Sequence, residues 1–359
     1  MKLNLSEEER LYMYLKGLFE SFGYTRFMMR RFEEYSLYAE NLNFLQSKDI
    51  ITFGDRSGRL LALKPDVTLS IVRNCKGMKD RLRKLYYRES VYRPYSPGGQ
   101  FREIGQIGLE LVGEVDAYCQ LEALALAAES LKAVGGKGVM EISHMGALGG
   151  IAQSCGMDAL PEAVMDCVRS RNLHDMKSAC LSSGISEEVA EGLRSVIGAG
   201  GSNTQKIDML RKSFGGSPQC MAAADELERV LSQLEKCGKG GFEVDFSLVN
   251  DPDYYNGVIF QGYTERSPRA VLSGGRYDNL VNKFGAGKSG IGFALYPDEL
   301  AYYSGSQSDY DADVLLLYEE GQDGAAVYAE VEKLVKQGLS VRAATESPAG
   351  MKFCRTVKI

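Results

Sequence analysis

Two short blocks in the last third of the chain combine residue types that could bind a small polar ligand. The first, DYYNG at 253–257, places an acid and two phenols beside a turn. The second, GGRYD at 274–278, joins two flexible glycines to an arginine, a phenol and an acid. Glycine lets a backbone approach a ligand closely, and an arginine fork suits a carboxylate or a phosphate. Each string alone also fits a tight turn with packed tyrosines or a buried Arg–Asp pair.

The composition restricts the class of protein. Of 359 residues, 44% are apolar and 25% are charged, which is typical of a soluble globular protein. No apolar run approaches the roughly 18 residues that cross a bilayer, and the acidic N-terminus is unlike a targeting signal. We therefore expect a cytoplasmic protein without a membrane partner. The net charge is −6 and no stripe of Lys and Arg stands out, which disfavours tRNA as a ligand.

Cysteine and histidine usage argues against metal chemistry. The eight cysteines include no C-x-x-C pair, so neither a zinc site nor a disulfide framework is indicated. The only two histidines, His144 and His174, cannot form a His-rich metal centre. We expect no metal and no cofactor.

Periodicity and turn residues predict the elements that position these blocks. The predicted helices are 7–22, 66–75, 116–134 and 276–284. The predicted strands are 24–29, two strands of a hairpin at 51–63, 85–93, 102–113, 242–249, 256–263, 269–274 and 290–295. The stretch from about 30 to 50 is expected to be a polar loop, as is 94–99.

The chain is expected to divide into two parts. Residues 1–305 form the main domain, and about 145–238 form a helical insertion that stands to one side of it. Residues 304–311 are a predicted linker. The tail at 311–359 is predicted to be a short β-α-β fragment.

The order of four blocks along the chain is more specific than any one of them. They are LLALKPDVTLSIVRN at 60–74, VYRPYSPGGQFREIGQIGLELVG at 91–113, LVNDPDYYNGVIF at 248–260 and LSGGRYDNL at 272–280. The chain resembles the histidyl-tRNA synthetases, and more closely the paralogous regulatory subunits of ATP phosphoribosyltransferase, over most of residues 7–300. The resemblance implies an α+β fold of the class II aminoacyl-tRNA synthetase type, with a mostly antiparallel sheet flanked by helices. The tail resembles the start of a synthetase anticodon-binding domain.

The resemblance also implies a histidine-binding site. Asp66 and Thr68 match the acid and threonine that hold the amino acid's ammonium group; aspartate here is usual in the regulatory paralogue. Arg93 matches an arginine that binds the carboxylate and the α-phosphate. A neutral imidazole has one donor and one acceptor, which Glu110 and the hydroxyl of Tyr255 could satisfy. The expected histidine-binding residues are Asp66, Thr68, Arg93, Gln106, Glu110, Tyr254, Tyr255, Gly274, Gly275 and Arg276.

Several departures from the synthetase pattern point away from aminoacylation. Asn250 stands where synthetases have an arginine that helps to bind ATP, and Glu299 stands where a second arginine clasps it. A further arginine of that pattern is replaced near Gln100. Because charge-assisted hydrogen bonds contribute about 1.5–3 kcal/mol each, losing the arginines at 250 and 299 should weaken nucleotide or transition-state binding by about 10²–10⁴-fold. We expect no catalytic residue in this chain.

The resemblance therefore implies a non-catalytic regulatory subunit for the first step of histidine biosynthesis. Its expected partner is a short-form catalytic ATP phosphoribosyltransferase subunit, its expected effector is L-histidine, and its expected assembly is a homodimer within a hetero-oligomer. The alternative is a histidyl-tRNA synthetase with atypical ATP-binding motifs. A third possibility is a synthetase-derived scaffold that binds no small ligand.

Overall fold

The computed structural model describes residues 5–45, 47–77, 81–94, 99–301 and 310–359. The chain separates into two compact units, one formed by Leu11–Leu300 and one by Met1–Arg10 with Ala301–Ile359. Each unit is described by itself.

The helices up to residue 301 are α1 (Glu7–Ser21), α2 (Tyr35–Ala39), α3 (Thr68–Cys75), α4 (Ala117–Val134), α5 (Met145–Ser154), α6 (Glu162–Arg169), α7 (Leu173–Ser182), α8 (Glu187–Ile197), α9 (Asn203–Phe214), α10 (Pro218–Lys236), α11 (Asp278–Phe284) and α12 (Pro297–Ala301). The strands of the same region are β1 (Thr25–Arg26), β2 (Phe32–Glu34), β3 (Thr52–Gly54), β4 (Leu60–Leu63), β5 (Leu82–Pro94), β6 (Phe101–Gly113), β7 (Gly138–His144), β8 (Phe242–Val244), β9 (Val258–Thr264), β10 (Ser267–Arg276) and β11 (Ser289–Leu295). Among the described residues, no helix is long and apolar enough to cross a membrane.

An eight-stranded sheet forms the centre of the larger unit, with the strand order β1-β5-β6-β11-β10-β9-β7-β8. The pairs from β5 to β7 are antiparallel, and only the two edge pairs, β1–β5 and β7–β8, are parallel. The prediction of a mostly antiparallel sheet flanked by helices is confirmed. A second, three-stranded antiparallel sheet contains β2, β4 and β3.

The two faces of the large sheet bury different cores because side chains alternate along each strand. On one face, Tyr86, Leu109 and Phe293 pack with residues of α1 and α4, including Phe19. On the other face, Tyr87, Val112 and Ile259 pack with α3 and α11. We call this second face the pocket face, since it carries the expected ligand residues of β5 and β6.

Helix α4 illustrates how local signals fix an element. The Asp116 carboxylate accepts a hydrogen bond of 2.9 Å from the Cys119 backbone N–H, which satisfies a donor left free in the first turn. Gly135, with φ of 84°, ends the helix. Both ends agree with the prediction.

The six helices α5–α10 form the predicted insertion, which connects the parallel strands β7 and β8. It does not have a core of its own. Apolar side chains of the insertion, such as Ile151, Val168 and Leu227, belong to the same buried cluster as Met140 and Val244 of the sheet. The insertion is therefore an integral layer of the larger unit.

Several elements differ from the sequence-based prediction. The predicted polar loop between 30 and 50 contains β2 and α2, which are too short to give a periodic signal. Strand β7 was not predicted. The predicted strand 242–249 ends at Val244, because the Asp245 side chain accepts a hydrogen bond from the Ser247 backbone and turns the chain.

The smaller unit contains β12 (Ala312–Leu317), α13 (Gly324–Lys336), β13 (Val341–Ala344) and β14 (Phe353–Lys358). Both neighbours of β12 are parallel to it, in the order β13-β12-β14. The predicted β-α-β fragment is present, but β14 adds a third strand that was not predicted. Most of the predicted linker at 304–311, and most of the 94–99 loop, lie outside the described residues.

Candidate functional site

The pocket face places the expected residues of two long strands side by side. Strand β5 presents Tyr87 and Arg93 on this face, and β6 presents Gln106 and Glu110, because the antiparallel register pairs odd positions of β5 with even positions of β6. All four side chains are buried. Strand pairing thus brings these four side chains, which are separate in the sequence, onto one face of the sheet.

Glu110 lies at the centre of this arrangement and is only 2% exposed. One carboxyl oxygen accepts a hydrogen bond of 2.6 Å from the Thr68 hydroxyl, and the other accepts one of 2.5 Å from the Tyr277 hydroxyl. Burial raises the pKa of Glu110 to about 8, with a further contribution from Asp66, while the two hydrogen bonds oppose the shift. Near neutral pH this carboxyl is therefore mostly protonated, and it can donate as well as accept a hydrogen bond.

Two glycines make room for the acid and the phenols on the pocket face. A Cβ atom on Gly292, which pairs with Glu110 in the sheet, would lie 1.7 Å from the Glu110 Oε2 atom. A Cβ atom on Gly275 would lie 2.7 Å from the ring of Tyr255. Gly275 therefore lets the backbone of β10 approach the Tyr255 ring closely.

Asp66 and Thr68 lie at the start of α3, which packs on the pocket face. The Asp66 carboxyl accepts a hydrogen bond of 2.8 Å from the Leu69 N–H. Burial raises the pKa of Asp66, and the Arg93 charge is among the effects that oppose the shift. Thr68 donates its hydroxyl to Glu110, so it orients the acid as well as facing the pocket.

Arg93 places a buried positive charge on the pocket face, with only 8% of the residue exposed. Its charge acts on both Asp66 and Tyr255. No hydrogen bond or ion pair joins its guanidinium to another residue in the described part of the chain. A buried cation with free donors suits a ligand carboxylate.

Tyr254 and Tyr255 form an aromatic wall beside the acid. Both are buried, and their rings meet edge to face with centroids 4.5 Å apart. The Tyr254 ring also lies 6.3 Å from that of Tyr277. Burial raises the pKa of each phenol, so all three stay protonated and can donate hydrogen bonds.

Two expected residues of the GGRYD block lie on the opposite face of the sheet. A Cβ atom on Gly274 would meet the Phe260 and Phe293 side chains of the core there. Arg276 is hydrogen-bonded to Asp278 and to Gln120 of α4. Its side chain does not bond to Glu110 and the residues that act on it, Asp66, Thr68 and Tyr277, which we call the acid cluster. The expectation that Arg276 and Gly274 face the ligand does not agree with this geometry, because each is one residue from Gly275 and a strand alternates its faces.

Tyr277 was overlooked as a site residue, although it belongs to the same GGRYD block. Its position after the last residue of β10 lets the chain turn into α11 and bring the phenol back over the pocket face. A hydrogen bond from a buried phenol to a buried acid cannot be predicted from the sequence block that contains only one of the two residues. The block itself could only suggest that a polar aromatic was present.

Asn250 borders a cavity of about 360 Å³ beside Tyr254, which the hydroxyls of Ser273 and Tyr296 also line. These two hydroxyls are hydrogen-bonded to each other at 2.7 Å. None of the described lining residues is a cation, and Asp251 adds a negative charge. Such a lining offers no counter-charge to a triphosphate.

The first turn of α12 carries acids where the synthetase pattern has an arginine. Glu299 is half-buried there. Its neighbour Asp298 accepts a hydrogen bond of 2.7 Å from the Gly105 N–H of β6. Among the described residues, no group of three or more His, Cys, Asp and Glu side chains could hold a metal ion.

The fold defines a class II synthetase-like domain whose pocket face carries a cluster of buried polar side chains. A family model described as histidyl-tRNA synthetase matches residues 4–300. The chain belongs to the histidyl-tRNA synthetase family.

Individual relatives fall into two groups. The chain is 33% identical over 348 residues to an ATP phosphoribosyltransferase regulatory subunit of Symbiobacterium thermophilum, which covers 92% of this chain and 85% of that protein. It is 29% identical over 292 residues to a histidine–tRNA ligase of Methanocaldococcus jannaschii, covering 80% of this chain and 69% of the ligase. In fold it is similar to a crystal structure from Bacillus halodurans described as an ATP phosphoribosyltransferase regulatory subunit/histidyl-tRNA synthetase. That similarity has a TM-score of 0.82 at 22% identity and covers 100% of this chain and 96% of the other.

Proposed function

We propose that the chain is a non-catalytic regulatory subunit that binds L-histidine and controls a catalytic ATP phosphoribosyltransferase subunit of the short form. Histidine binding shifts the assembly toward a less active state, which gives feedback inhibition of the first step of histidine biosynthesis. The protein acts in the cytoplasm as a homodimer within a hetero-oligomer. It performs no chemistry and does not use tRNA.

The observation that carries this proposal is the acid cluster around Glu110. A mostly protonated carboxyl, flanked by the phenols of Tyr255 and Tyr277, can serve both the acceptor and the donor nitrogen of a neutral imidazole. Asp66 supplies a carboxyl for the ammonium group, and Arg93, which pairs with none of the other described residues, supplies a cation for the carboxylate. Free histidine presents these three groups together.

The surroundings of Asn250 and Glu299 support a role without amino-acid activation. Activation needs cations that stabilise the phosphates and the charge that develops in the transition state. The cavity at Asn250 offers amide and hydroxyl groups and the acid Asp251 instead. The name of the Symbiobacterium relative supports the partner, since a regulatory subunit of a transferase acts on a catalytic one.

A histidyl-tRNA synthetase remains the second candidate, because the Methanocaldococcus relative carries that name. Such an enzyme would have to replace the arginines missing at 250 and 299 with other cations. A histidine-dependent exchange of pyrophosphate into ATP by the purified chain would establish this activity. Its absence in folded, histidine-binding protein would exclude it.

The decisive experiment mixes the chain with the short-form catalytic subunit from the same source and follows phosphoribosyl-ATP formation. We expect the rate to depend on the chain and to fall when histidine is added. Direct titration of the chain with histidine in a calorimeter separates the two parts of the proposal. Binding without any effect on the transferase would remove the regulatory role, and no binding at millimolar histidine would remove the ligand.

A further inference from the structure

Arg276 occupies a junction between the two sequence blocks, on the face of the sheet away from the pocket. Its guanidinium Nε lies 2.9 Å and 3.1 Å from the two carboxylate oxygens of Asp278. Its side chain crosses Gly257, where a Cβ atom would lie 2.9 Å from the Arg276 Cδ. Its backbone carbonyl accepts a hydrogen bond of 3.0 Å from the Asn256 N–H. The DYYNG and GGRYD blocks are therefore fastened to each other at this residue.

From Arg276, hydrogen bonds continue into the helical insertion. The Nη1 atom donates to the Gln120 amide oxygen at 3.2 Å, and the Gln120 amide nitrogen donates to Glu226 of α10 at 2.8 Å. The second Glu226 oxygen lies 3.2 Å from His144 Nε2. The His144 Nδ1 accepts a hydrogen bond of 3.0 Å from the Gly146 N–H and so caps α5. We call Arg276, Gln120, Glu226 and His144 the rear chain.

The rear chain is an ordered, largely buried network. Gln120 is 2% exposed and His144 is 9% exposed. The hydrogen bond with His144 is the main cause that lowers the pKa of Glu226 to about 2, so this residue is a carboxylate at neutral pH. Each of the four side chains makes hydrogen bonds through two of its atoms. Truncating one side chain would therefore leave a buried polar group of its neighbour without a partner.

We propose that Arg276 is a positioning residue for the histidine pocket, and that the rear chain couples histidine binding to the stability of the helical insertion. This inference rests on the proposed histidine-binding function. Arg276 fixes the backbone between Gly275 and Tyr277, so that the Tyr277 phenol reaches Glu110 on the far side of the sheet. It also holds the segment that carries Tyr254 and Tyr255, through Gly257 and Asn256.

A consequence of this arrangement is reciprocal coupling between pocket and insertion. If an ordered rear chain favours the ligand-binding geometry, then bound histidine must stabilise the rear chain by the same free energy. The N-terminal turn of α5 is the place to observe this, because His144 caps it and the Met145 N–H donates to the Gly257 carbonyl at 2.9 Å. Histidine binding should therefore protect the amides of this turn from hydrogen exchange.

Glu226→Gln is the main test, since it removes the negative charge in the rear chain while keeping the side-chain shape, and Glu226 lies outside the pocket. Glu228→Gln is a matched control on the same helix, because Glu228 is exposed and pairs with Arg211. We expect Glu226→Gln to weaken histidine binding by about fivefold to tenfold and to reduce the histidine-dependent protection of α5. Glu228→Gln should bind like the unmodified chain. Arg276→Lys, which keeps the charge but not the fork, should weaken binding similarly.

A pH profile distinguishes positioning from a general loss of stability. Thr68, Tyr277 and Asp66 act on the Glu110 carboxyl. The Glu110 charge in turn acts on the groups packed around it, which are Cys75 of α3, Tyr87 of β5, Tyr254, Tyr255 and Tyr277. The Tyr277 hydrogen bond lowers the pKa of Glu110. A displaced Tyr277 should therefore move the upper limit of the histidine-binding pH range to higher pH in Glu226→Gln and Arg276→Lys.

The outcomes separate this inference from the proposed function. If the unmodified chain does not bind histidine, the proposed function fails and this inference fails with it. If the unmodified chain binds histidine but both glutamine variants share its affinity, pH profile and α5 protection, only the rear-chain inference is overturned. A Glu226→Gln protein with lower stability but an unchanged pH limit would also overturn it, since that result describes a purely structural network.

Discussion

The Tyr277 hydroxyl donates a hydrogen bond of 2.5 Å to Glu110, and this contact joins the end of β10 to the middle of β6. The two residues are 167 positions apart in the chain. The contact gives the buried acid a second donor beside Thr68, so each carboxyl oxygen accepts a hydrogen bond from another side chain. In the proposed function, histidine binds to a polar group that is already oriented, which reduces the entropy lost on binding.

Replacing Tyr277 with phenylalanine tests this contact. The ring still fills its place, but one Glu110 oxygen loses its donor, and an unsatisfied buried group costs about 1–3 kcal/mol. We expect histidine affinity to fall by about tenfold and the fold to persist. Calorimetric titration measures the affinity. Tyr263→Phe is the control, because that phenol donates to Gln261 outside the acid cluster; equal losses in both variants would contradict the role of Tyr277.

The affinity for histidine should depend on pH in a defined direction. Burial raises the pKa of Glu110 to about 8, whereas a free imidazole has a pKa of about 6.5. Between these pH values Glu110 is protonated and the imidazole is neutral, so the carboxyl proton can be donated to the accepting nitrogen of the imidazole. Above pH 8 the complex must take up a proton, and Kd should rise by up to about tenfold per pH unit. A Kd that stays constant up to pH 9.5 would contradict this assignment.

The same pKa shift should affect stability, and its sign follows from the direction. The folded-state pKa of about 8 lies above the ordinary value of 4.5, so the folded protein binds more protons between these values. This contribution to the free energy of unfolding is fully present below pH 4.5 and is lost as pH rises through 8. Urea melts at several pH values measure it. The dependence should be flatter in Glu110→Gln, and an identical slope in that variant would assign the effect to other groups.

Restoring arginines at 250 and 299 tests the loss of nucleotide binding. The double variant Asn250→Arg, Glu299→Arg should bind ATP more tightly than the unmodified chain, because it supplies charge-assisted donors. Fluorescence or calorimetric titration with ATP would measure the gain. No gain would mean that the nucleotide position is closed as well as uncharged, with Tyr296 and the Asp298–Gly105 contact as the first candidates.

The glycine beneath the acid gives a steric prediction. In Gly292→Ala the new methyl group would overlap the Glu110 carboxyl and approach the Leu109 carbonyl at 2.5 Å. We expect a loss of about 1–3 kcal/mol in the free energy of unfolding, together with weaker histidine binding. Gly240→Ala is the control, since nothing lies within 4 Å of its added Cβ. Similar stability of the two variants would show that Glu110 can move aside.

The parts of the fold that sequence patterns predict are those with strong local signals. Helix α4 has a capping acid and a terminal glycine, and β5 and β6 are long runs on either side of a segment rich in Pro and Gly. Strands β2 and β14 were missed because one has only three residues and the other is mostly exposed. Such strands are defined by their pairing partners, which no local pattern contains.

Sequence blocks suggest which residues belong to the candidate site, but not how they are arranged in space. The family blocks contain Asp66, Thr68 and Glu110; the Thr68 hydroxyl donates to Glu110, and the Asp66 charge acts on it. The sidedness of Arg276 could not be read from GGRYD, because it depends on which glycine faces the pocket. The pairing of Gly275 with Gly292, and through it with Glu110, decides this, and that register is a tertiary property.

The parallel pair β7–β8 joins residues about a hundred positions apart, such as Ile142 and Val244, with all six insertion helices between them. Contacts this distant in the chain form only after loop closure, so they slow folding. The helices α5–α10 contain mostly local contacts and can form first. We therefore expect β8 to join the sheet late in folding and to be among the first strands to detach when the protein is destabilised.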